Sequence, residues 1–302
     1  MSRRVTSGRV TVIMRSKNSA WVIGQALSGL FSQYRRDFEL LLVDSGSTDA
    51  TLDIARRFPC QVIQIAATEY FPGAVLNRAI EQAQGDILVF QNSDVVPLAP
   101  NALELLLEPL EAGKADATFA RQLPRPEAHT WVRRDYARAF PPHGVPPSWM
   151  VYSLPFAAMK RAAWERHPFY EDAWGSEDTE WGHWARQNNV VARYVPEALV
   201  MHSHNYTLRQ LYGRRFIEGE ADAFILQDTV SIPMFLRRLC RSWARDAGAN
   251  LVAGDFLGLM LSLPRRWVYH WAYWRGHKLG ERRKKTGSKD SSIGQRVVLN
   301  RW

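Results

Sequence analysis

Four clusters of polar and titratable residues in this 302-residue chain stand directly after apolar runs, where chemistry could be placed. The first is Asp44-Ser45-Gly46-Ser47-Thr48-Asp49, which follows Phe38–Val43. Small residues let the main chain approach a ligand closely, and a carboxylate at a strand end can accept hydrogen bonds from a base or a ribose. The same residue types also make an ordinary turn with a helix cap. The second is Gln91-Asn92-Ser93-Asp94, after Asp86–Phe90. A carboxylate leaving a central strand beside an anionic ligand suits a divalent cation, which prefers oxygen ligands. The plainer alternative is a strand-to-loop transition in which Asp94 caps the next turn.

The third cluster places Glu177, Asp178 and Glu180 between Trp174 and Trp181, close to Asp172. Adjacent acids raise each other's pKa and aromatic surroundings desolvate them, which suits a general base. An acidic helix N-terminus would use the same residues. The fourth is Met201-His202-Ser203-His204-Asn205. Strand alternation would put His202 and His204 on one face, where either could complete a metal site. Arg209, Gln210, Arg214 and Arg215 follow on one expected helix and could bind phosphate, although solvated helix charges account for each of them singly.

The elements that must position these clusters alternate. Strands are expected at Val10–Met14, Phe38–Val43, Gln61–Ile65, Asp86–Phe90 and Ala115–Ala120, with helices over about 19–33, 50–58, 73–84 and 100–112 between them. Continuous apolar strands alternating with helices indicate a parallel sheet covered on both faces, and such sheets bind ligands at the carboxyl ends of their strands. No G-x-G-x-x-G follows any strand, which disfavours a dinucleotide fold of the NAD type. Residues 121–150 carry six prolines and read as a long irregular excursion. Beyond it, Tyr152–Met159, a helix over 177–187, strands at Val190–Val195 and Leu199–Met201 and a long helix from about Thr207 to Gln227 are expected. Residues 231–302 read as a separate helical region rich in Trp and Arg, with a loose polar stretch over 281–292.

Composition narrows the classes. At 46% hydrophobic and 23% charged the chain is globular rather than disordered. Cys60 and Cys240 make neither a disulfide framework nor a metal knuckle, so a reducing cytoplasm is expected. Met1-Ser2-Arg3-Arg4 is not followed by the apolar run of a secretory signal. Ala247–Leu263 contains Asn250 and Asp255 and falls short of the ~20 residues of a membrane span. The formal charge of +9 is uneven: residues 231–302 carry 15 Lys/Arg and 4 Asp/Glu (15 − 4 = +11), and residues 1–230 carry 24 and 26 (24 − 26 = −2). A nucleic-acid binder working through the tail is one reading of that basicity, and an anionic membrane surface is the other.

Taken in order, the four clusters, preceded by Arg15-Ser16-Lys17-Asn18, resemble the family-2 inverting glycosyltransferases of GT-A fold. The likeness covers roughly residues 9–228. The segment from Glu177-Asp178 through His202-Ser203-His204-Asn205-Tyr206 to Glu218-Gly219 is similar to bacterial rhamnosyltransferase-type members. The resemblance implies a Rossmann-like, mostly parallel sheet with helices on both faces over residues 1–230, and a C-terminal helical extension over 231–302. It implies that Asp44, with Ser45, Gly46, Arg15 and Asn18, meets the nucleotide, that Asn92 and Ser93 lie beside the donor, and that Arg214 assists at the phosphates. Asp94 would stand where the family's last D-x-D carboxylate binds Mn2+ or Mg2+, with His202 or His204 as the late metal ligand. Asp178 would be the catalytic base and Glu177 a holder of the acceptor.

The pattern departs from the family in two places. The D-x-D reads Asn92-Ser93-Asp94, and the Q-x-x-R-W of processive members is absent, Gln210 and Arg214 being one residue too far apart and Phe216 replacing the Trp. A non-processive enzyme is therefore expected, taking a nucleotide-sugar donor and a saccharide or lipid-linked acceptor in cell-envelope polysaccharide synthesis. It would be peripheral on the inner face of the cytoplasmic membrane and would have no nucleic-acid partner. A non-catalytic nucleotide-sugar binder is the alternative that the missing first carboxylate leaves open.

Overall fold

A computed structural model describes residues 9–226, 229–290 and 292–299. The amino-terminal Met1–Arg4 and the expected helix end at Gln227 lie outside the described residues. In chain order the elements are β1 (Val10–Ser16), α1 (Ile23–Phe31), β2 (Phe38–Asp44), α2 (Thr51–Ala55), β3 (Gln61–Gln64), α3 (Pro72–Gln82), β4 (Ile87–Asn92) and β5 (Val96–Pro97). There follow α4 (Ala102–Glu111), β6 (Ala117–Leu123), α5 (Thr130–Ala139), β7 (Phe156–Lys160), α6 (Arg161–Arg166), α7 (Glu177–Gln187) and β8 (Ala192–Met201). The last four are α8 (Leu208–Ile225), α9 (Ile232–Val252), α10 (Phe256–Thr286) and α11 (Ser292–Leu299). Two compact units divide the chain: Met1–Ala128, Val132–Tyr170 and Asp178–Ser203 form one, and His129–Trp131, Glu171–Glu177 and His204–Trp302 the other.

The first unit is built on one sheet of order β3-β2-β1-β4-β7-β6-β8-β5. β1 pairs in parallel with β2 and β4, β2 with β3, and β6 with β8, whereas β7 and β5 run antiparallel to their neighbours. The apolar strands are continuous because both faces are covered. Val10, Val12, Met14, Leu40, Leu42 and Val89 pack with Ile23, Leu27 and Leu30 of α1 and Leu103, Leu106 and Leu110 of α4. On the other face Ile13, Leu41, Val43, Leu88 and Phe90 pack with Leu76 and Ile80 of α3 and Trp181 and Ala185 of α7. Large apolar side chains buried at this density contribute roughly 1.5–3 kcal/mol each, so the strand ends are held by a core that tolerates little movement.

Two expected irregularities are ordered. Residues 121–150 are not one long excursion: β6 continues to Leu123 and α5 occupies Thr130–Ala139. The prolines fall at 124 and 126, before α5, and at 141, 142, 146 and 147, after it, so they bound the helix instead of breaking it. The two expected strands around residue 196 are one strand, β8, with a register shift where Ala120 faces Val195 and Arg121 faces Leu199. Pro196 sits in the skipped stretch, where its missing N–H costs no ladder bond.

In the second unit α8 and α10 approach closely. A Cβ on Gly219 would meet the Tyr273 carbonyl, and one on Gly276 would meet the Phe216 carbonyl, so only glycine allows this packing. A buried ion pair, Arg283 Nη1 to Glu220 Oε1 at 2.5 Å, joins the same two helices. Asp246 of α9 accepts from Arg266 Nε at 2.7 Å and from Arg265 Nη2 at 2.5 Å of α10. Residues 281–286, expected to be loose, form the last turns of α10, which ends at Gly287 in the left-handed region (φ 63°). The charged run is helical because Arg283 reaches back to Glu220 and anchors it. Among the described residues no helix is long and apolar enough to cross a membrane.

Candidate functional site

The sheet register brings the expected residues together. Arg15 lies opposite Asn92, and Ser16 opposite Asp44, so β1, β2 and β4 end side by side. Asn18, with φ 46°, turns the chain after β1 toward the loop after β2. Its N–H donates to Ser47 Oγ (2.8 Å), and its Oδ1 accepts from the Thr48 N–H (2.8 Å). Asp44 is fully buried, and its carboxylate accepts from the Gly46 and Ser47 N–H groups (3.1 and 2.9 Å) and from Ser47 Oγ (2.5 Å). Gly46, at φ 77°, makes the turn that aims these donors. Ser45 donates from N and Oγ to the Ser16 carbonyl (3.0 and 3.2 Å), tying the loop to β1. Of the two readings open for this loop, the turn-building one is visibly realised in the carboxylate's own bonds.

Asp94 and His202 meet across a short antiparallel pairing. β5 pairs Val96 with Met201, so the residues just before Val96 face those just after Met201. Asp94 Oδ2 lies 3.7 Å from His202 Nε2, and both side chains are largely buried. The other ring nitrogen is committed: His202 Nδ1 is 2.7 Å from Gln122 Oε1. Gln122 Nε2 donates to Ser153 Oγ at 2.9 Å, which leaves Oε1 as the acceptor toward the imidazole. The bonding pattern makes Nδ1 the donor and turns Nε2 toward Asp94, the orientation a metal-ligating histidine adopts. Two ligand atoms 3.7 Å apart can be spanned by one ion with bonds of about 2 Å, so the pair fits a divalent cation. Ser93 adds a hydroxyl contact to Ser19 (Oγ to Oγ, 2.8 Å), and its N–H donates to the Arg15 carbonyl (3.2 Å).

Asp178 enters the same framework from α7. Its Oδ2 accepts from the Leu154 N–H (3.3 Å) and its Oδ1 from the Thr179 N–H (2.8 Å). The segment before β7 is thus a hub. Ser153 binds the glutamine that orients His202, Leu154 binds Asp178, and the Pro155 carbonyl accepts from the Asn92 N–H (3.0 Å). The negative charge of Asp178 is felt locally: burial, reinforced by Asp178, pushes the Tyr152 hydroxyl well above its usual pKa.

Three residues emerge that the sequence did not single out. Gln122 and Ser153 act only through contacts between segments far apart in the chain. Arg125 is buried, donates from Nη2 to the Asp94 carbonyl (2.5 Å) and from its N–H to Ser203 Oγ (2.9 Å), and lies 4.8 Å from the Trp21 ring centroid. It clamps the two loops that carry Asp94 and His202. Its signal in the sequence was a lone Arg between two prolines, which no motif marks.

The remaining expected residues fall in the second unit. β8 ends at Met201, so His202 and His204 are not on a strand and alternation does not relate them. His204 belongs to the second unit, where its ring stacks on Tyr206 with centroids 5.1 Å apart. Glu177 also falls in the second unit, as does Arg214, whose Nε donates to Glu218 Oε1 at 2.5 Å. Burial opposes ionisation of Glu218, but the guanidiniums of Arg215 and Arg214 hold its carboxyl below the ordinary range.

Similarity to known proteins extends over most of the chain. A family model described as "Glycosyl transferase family 2" matches residues 11–168. The O-antigen chain rhamnosyltransferase WbaN of Salmonella anatum is 28% identical over 276 residues, covering 82% of this chain and 81% of its own. The O-antigen chain rhamnosyltransferase RfbN of Salmonella typhimurium is 25% identical over 301 residues, covering 90% of each. Among solved structures, the mannosyltransferase PcManGT from Pyrobaculum calidifontis, in complex with GDP-Man and Mn2+, superposes with a TM-score of 0.63 at 22% identity, covering 93% of this chain and 89% of that one. Glucosyl-3-phosphoglycerate synthase from Mycobacterium tuberculosis, with Mn2+ and UDP-glucose, gives 0.53 at 22% identity over 70% and 78%. These two likenesses concern the fold.

Proposed function

The chain belongs to glycosyl transferase family 2 and has the GT-A arrangement of mostly parallel sheet with a helical C-terminal region, and we propose that it is an inverting, metal-assisted sugar transferase. The donor is a nucleotide sugar, with rhamnose the sugar favoured by the two relatives that align along most of the chain. The acceptor is a hydroxyl of a saccharide or lipid-linked saccharide in cell-envelope polysaccharide synthesis, met at a membrane surface from the cytoplasmic side. Residues 1–230 carry catalysis and residues 231–302 form the extension. The observation that carries the chemistry is the pairing of Asp94 with His202, the imidazole oriented by Gln122 so that Nε2 faces the carboxylate.

Asp94 and His202 would hold Mn2+ or Mg2+, with His204 as a third ligand two residues on. When bound there, the cation supplies positive charge to the donor diphosphate and to the charge that grows on it as the sugar leaves. Arg15, Asn18, Asp44, Ser45 and Gly46 cradle the nucleotide at the strand ends, with Asn92 and Ser93 beside the sugar. Arg214 offers a guanidinium to the phosphates.

Asp178 takes the proton from the acceptor hydroxyl while that oxygen bonds to the anomeric carbon from the face opposite the diphosphate. The bond between anomeric carbon and diphosphate oxygen breaks, and the electron pair leaves with the nucleotide. One displacement inverts the configuration. Glu177, next to the base, holds the acceptor. General-base catalysis contributes ~10²–10⁴-fold, so Asp178→Asn is expected to bind donor with unchanged affinity and to lose transfer by at least about a hundredfold. Wild-type turnover in that variant would remove Asp178 from the role of base.

A further inference from the structure

The turn between α9 and α10 exposes large apolar side chains that no described residue covers. Val252 is 93% exposed, Met260 76%, Phe256 75%, Leu257 68% and Leu251 61%. They sit at the end of α9 and the start of α10, on either side of the three-residue connection Ala253-Gly254-Asp255, so they form one tip and not scattered surface residues. The tip's main chain is satisfied internally. The N–H groups of Ala253, Gly254 and Asp255 donate to the carbonyls of Ala249, Leu251 and Asn250 (3.1, 3.2 and 2.9 Å). Asp255 caps α10 by accepting the Gly258 N–H at 2.8 Å. A tip of this kind can leave water without stranding the donors that bond within it.

Behind the tip the surface is cationic. Arg237, Arg238, Arg241 and Arg245 on α9 are all exposed. The three acids of the hairpin are already engaged, Asp246 with Arg245, Arg265 and Arg266, Asp255 as the helix cap, and Glu281 with Lys278. Trp243 and Trp267, side chains suited to the boundary between water and hydrocarbon, are partly exposed on the same two helices.

We propose that the α9–α10 tip is a membrane-docking element that inserts Leu251, Val252, Phe256, Leu257 and Met260 into an anionic leaflet while the α9 arginines bind lipid phosphates. The sign of the charge selects this occupant. A second copy of the chain seated on the same face would bring four arginines toward four more, whereas an anionic leaflet complements them. The helices are not apolar enough to span, so the element lies in the interface. Such docking presupposes the lipid-linked acceptor proposed above and names the surface that meets it.

Vesicle sedimentation of the full chain tests this, with phosphatidylglycerol-containing vesicles compared with pure phosphatidylcholine. Wild type is expected to pellet with the anionic vesicles and to be released by high salt. The triple variant Val252→Asp, Phe256→Asp, Met260→Asp should bind at least about tenfold more weakly, and so should Arg237→Glu with Arg241→Glu. Because these side chains face solvent, circular dichroism and melting should be unchanged in both variants. Nucleotide release from a nucleotide sugar in detergent-free solution should also stay at the wild-type level. Equal vesicle binding by wild type and the tip variant would overturn the proposal. So would a wild-type dimer in light scattering that the tip variant abolishes without any vesicle binding. Absence of nucleotide release in wild type would instead count against the glycosyltransferase reading, so the two failures are separable.

Discussion

Replacing Gln122 by Met probes the framework of the site and leaves the expected metal ligands themselves in place. Gln122 is buried, receives the His202 Nδ1–H at 2.7 Å and donates to Ser153 Oγ at 2.9 Å. Methionine has nearly the same length and no polar atom able to replace either bond. The imidazole then keeps Tyr136 Oη, 3.5 Å from Nδ1, as a distant neighbour only. Leaving a buried donor unmatched costs about 1–3 kcal/mol. Loss of an outer partner of a metal-bound imidazole lowers metal affinity by roughly 10–100-fold, equivalent to about 1.4–2.7 kcal/mol. The two ranges agree. The half-saturating Mn2+ concentration for nucleotide release is therefore expected to rise by one to two orders of magnitude, with near-normal maximal rate at saturating metal. Gln122→Glu, which keeps an acceptor at the same place, should recover most of the affinity. An unchanged Mn2+ dependence in Gln122→Met would refute the reasoning that this bond sets the ligating nitrogen.

Arg125→Ala removes the clamp on the Asp94 carbonyl and the cation facing Trp21; a melting-temperature drop accompanied by weaker metal dependence is expected, and a drop in melting temperature alone would make the residue purely structural. Gly276→Ala places a methyl against the Phe216 carbonyl, where the backbones of α8 and α10 touch, and should destabilise by about 1–3 kcal/mol in denaturant titrations. His270 gives a pH signature. Burial, reinforced by the guanidiniums of Arg215, Arg266, Arg238 and Arg245, pushes its pKa down to about 3 from an ordinary 6.5. Below pH 6.5 the unfolded chain takes up a proton that the folded one refuses, so this contribution is whole above 6.5 and is lost as pH falls toward 3. Between pH 6.5 and 5 the loss is at most about 2 kcal/mol, and His270→Gln should flatten that part of the stability profile.

The sheet was legible because its signal is local. Stretches such as Leu40–Val43 and Ile87–Phe90 are continuously apolar, as only strands buried on both faces need to be, and the structure places β2 and β4 there. Asp44 and Asn92 end those strands and Asp94 follows two residues later, so their place at the carboxyl ends was legible too. Gln122, Ser153 and Arg125 were not. Each works by joining segments distant in the chain, Gln122 to His202 across 80 positions and Arg125 to Ser203 across 78, and a polar residue on a strand or between prolines has no periodicity that marks such a partner. For His202 and His204 it is the alternation argument that fails, because neither lies on a strand. Alternation assumes a strand, and β8 ends one residue before His202, where the β5 pairing turns the chain toward Asp94. In the sequence the charged run over 281–286 looks loose because its anchor, the Arg283–Glu220 pair, spans 63 positions.

The most direct test of the central claim is nucleotide release from a panel of nucleotide sugars, measured on the full chain with a saccharide acceptor, with and without added Mn2+. Release from at least one donor that requires the cation and is lost in Asp94→Ala and in His202→Ala is the predicted result. Release at the same rate in chelator, or in both variants, would contradict the account.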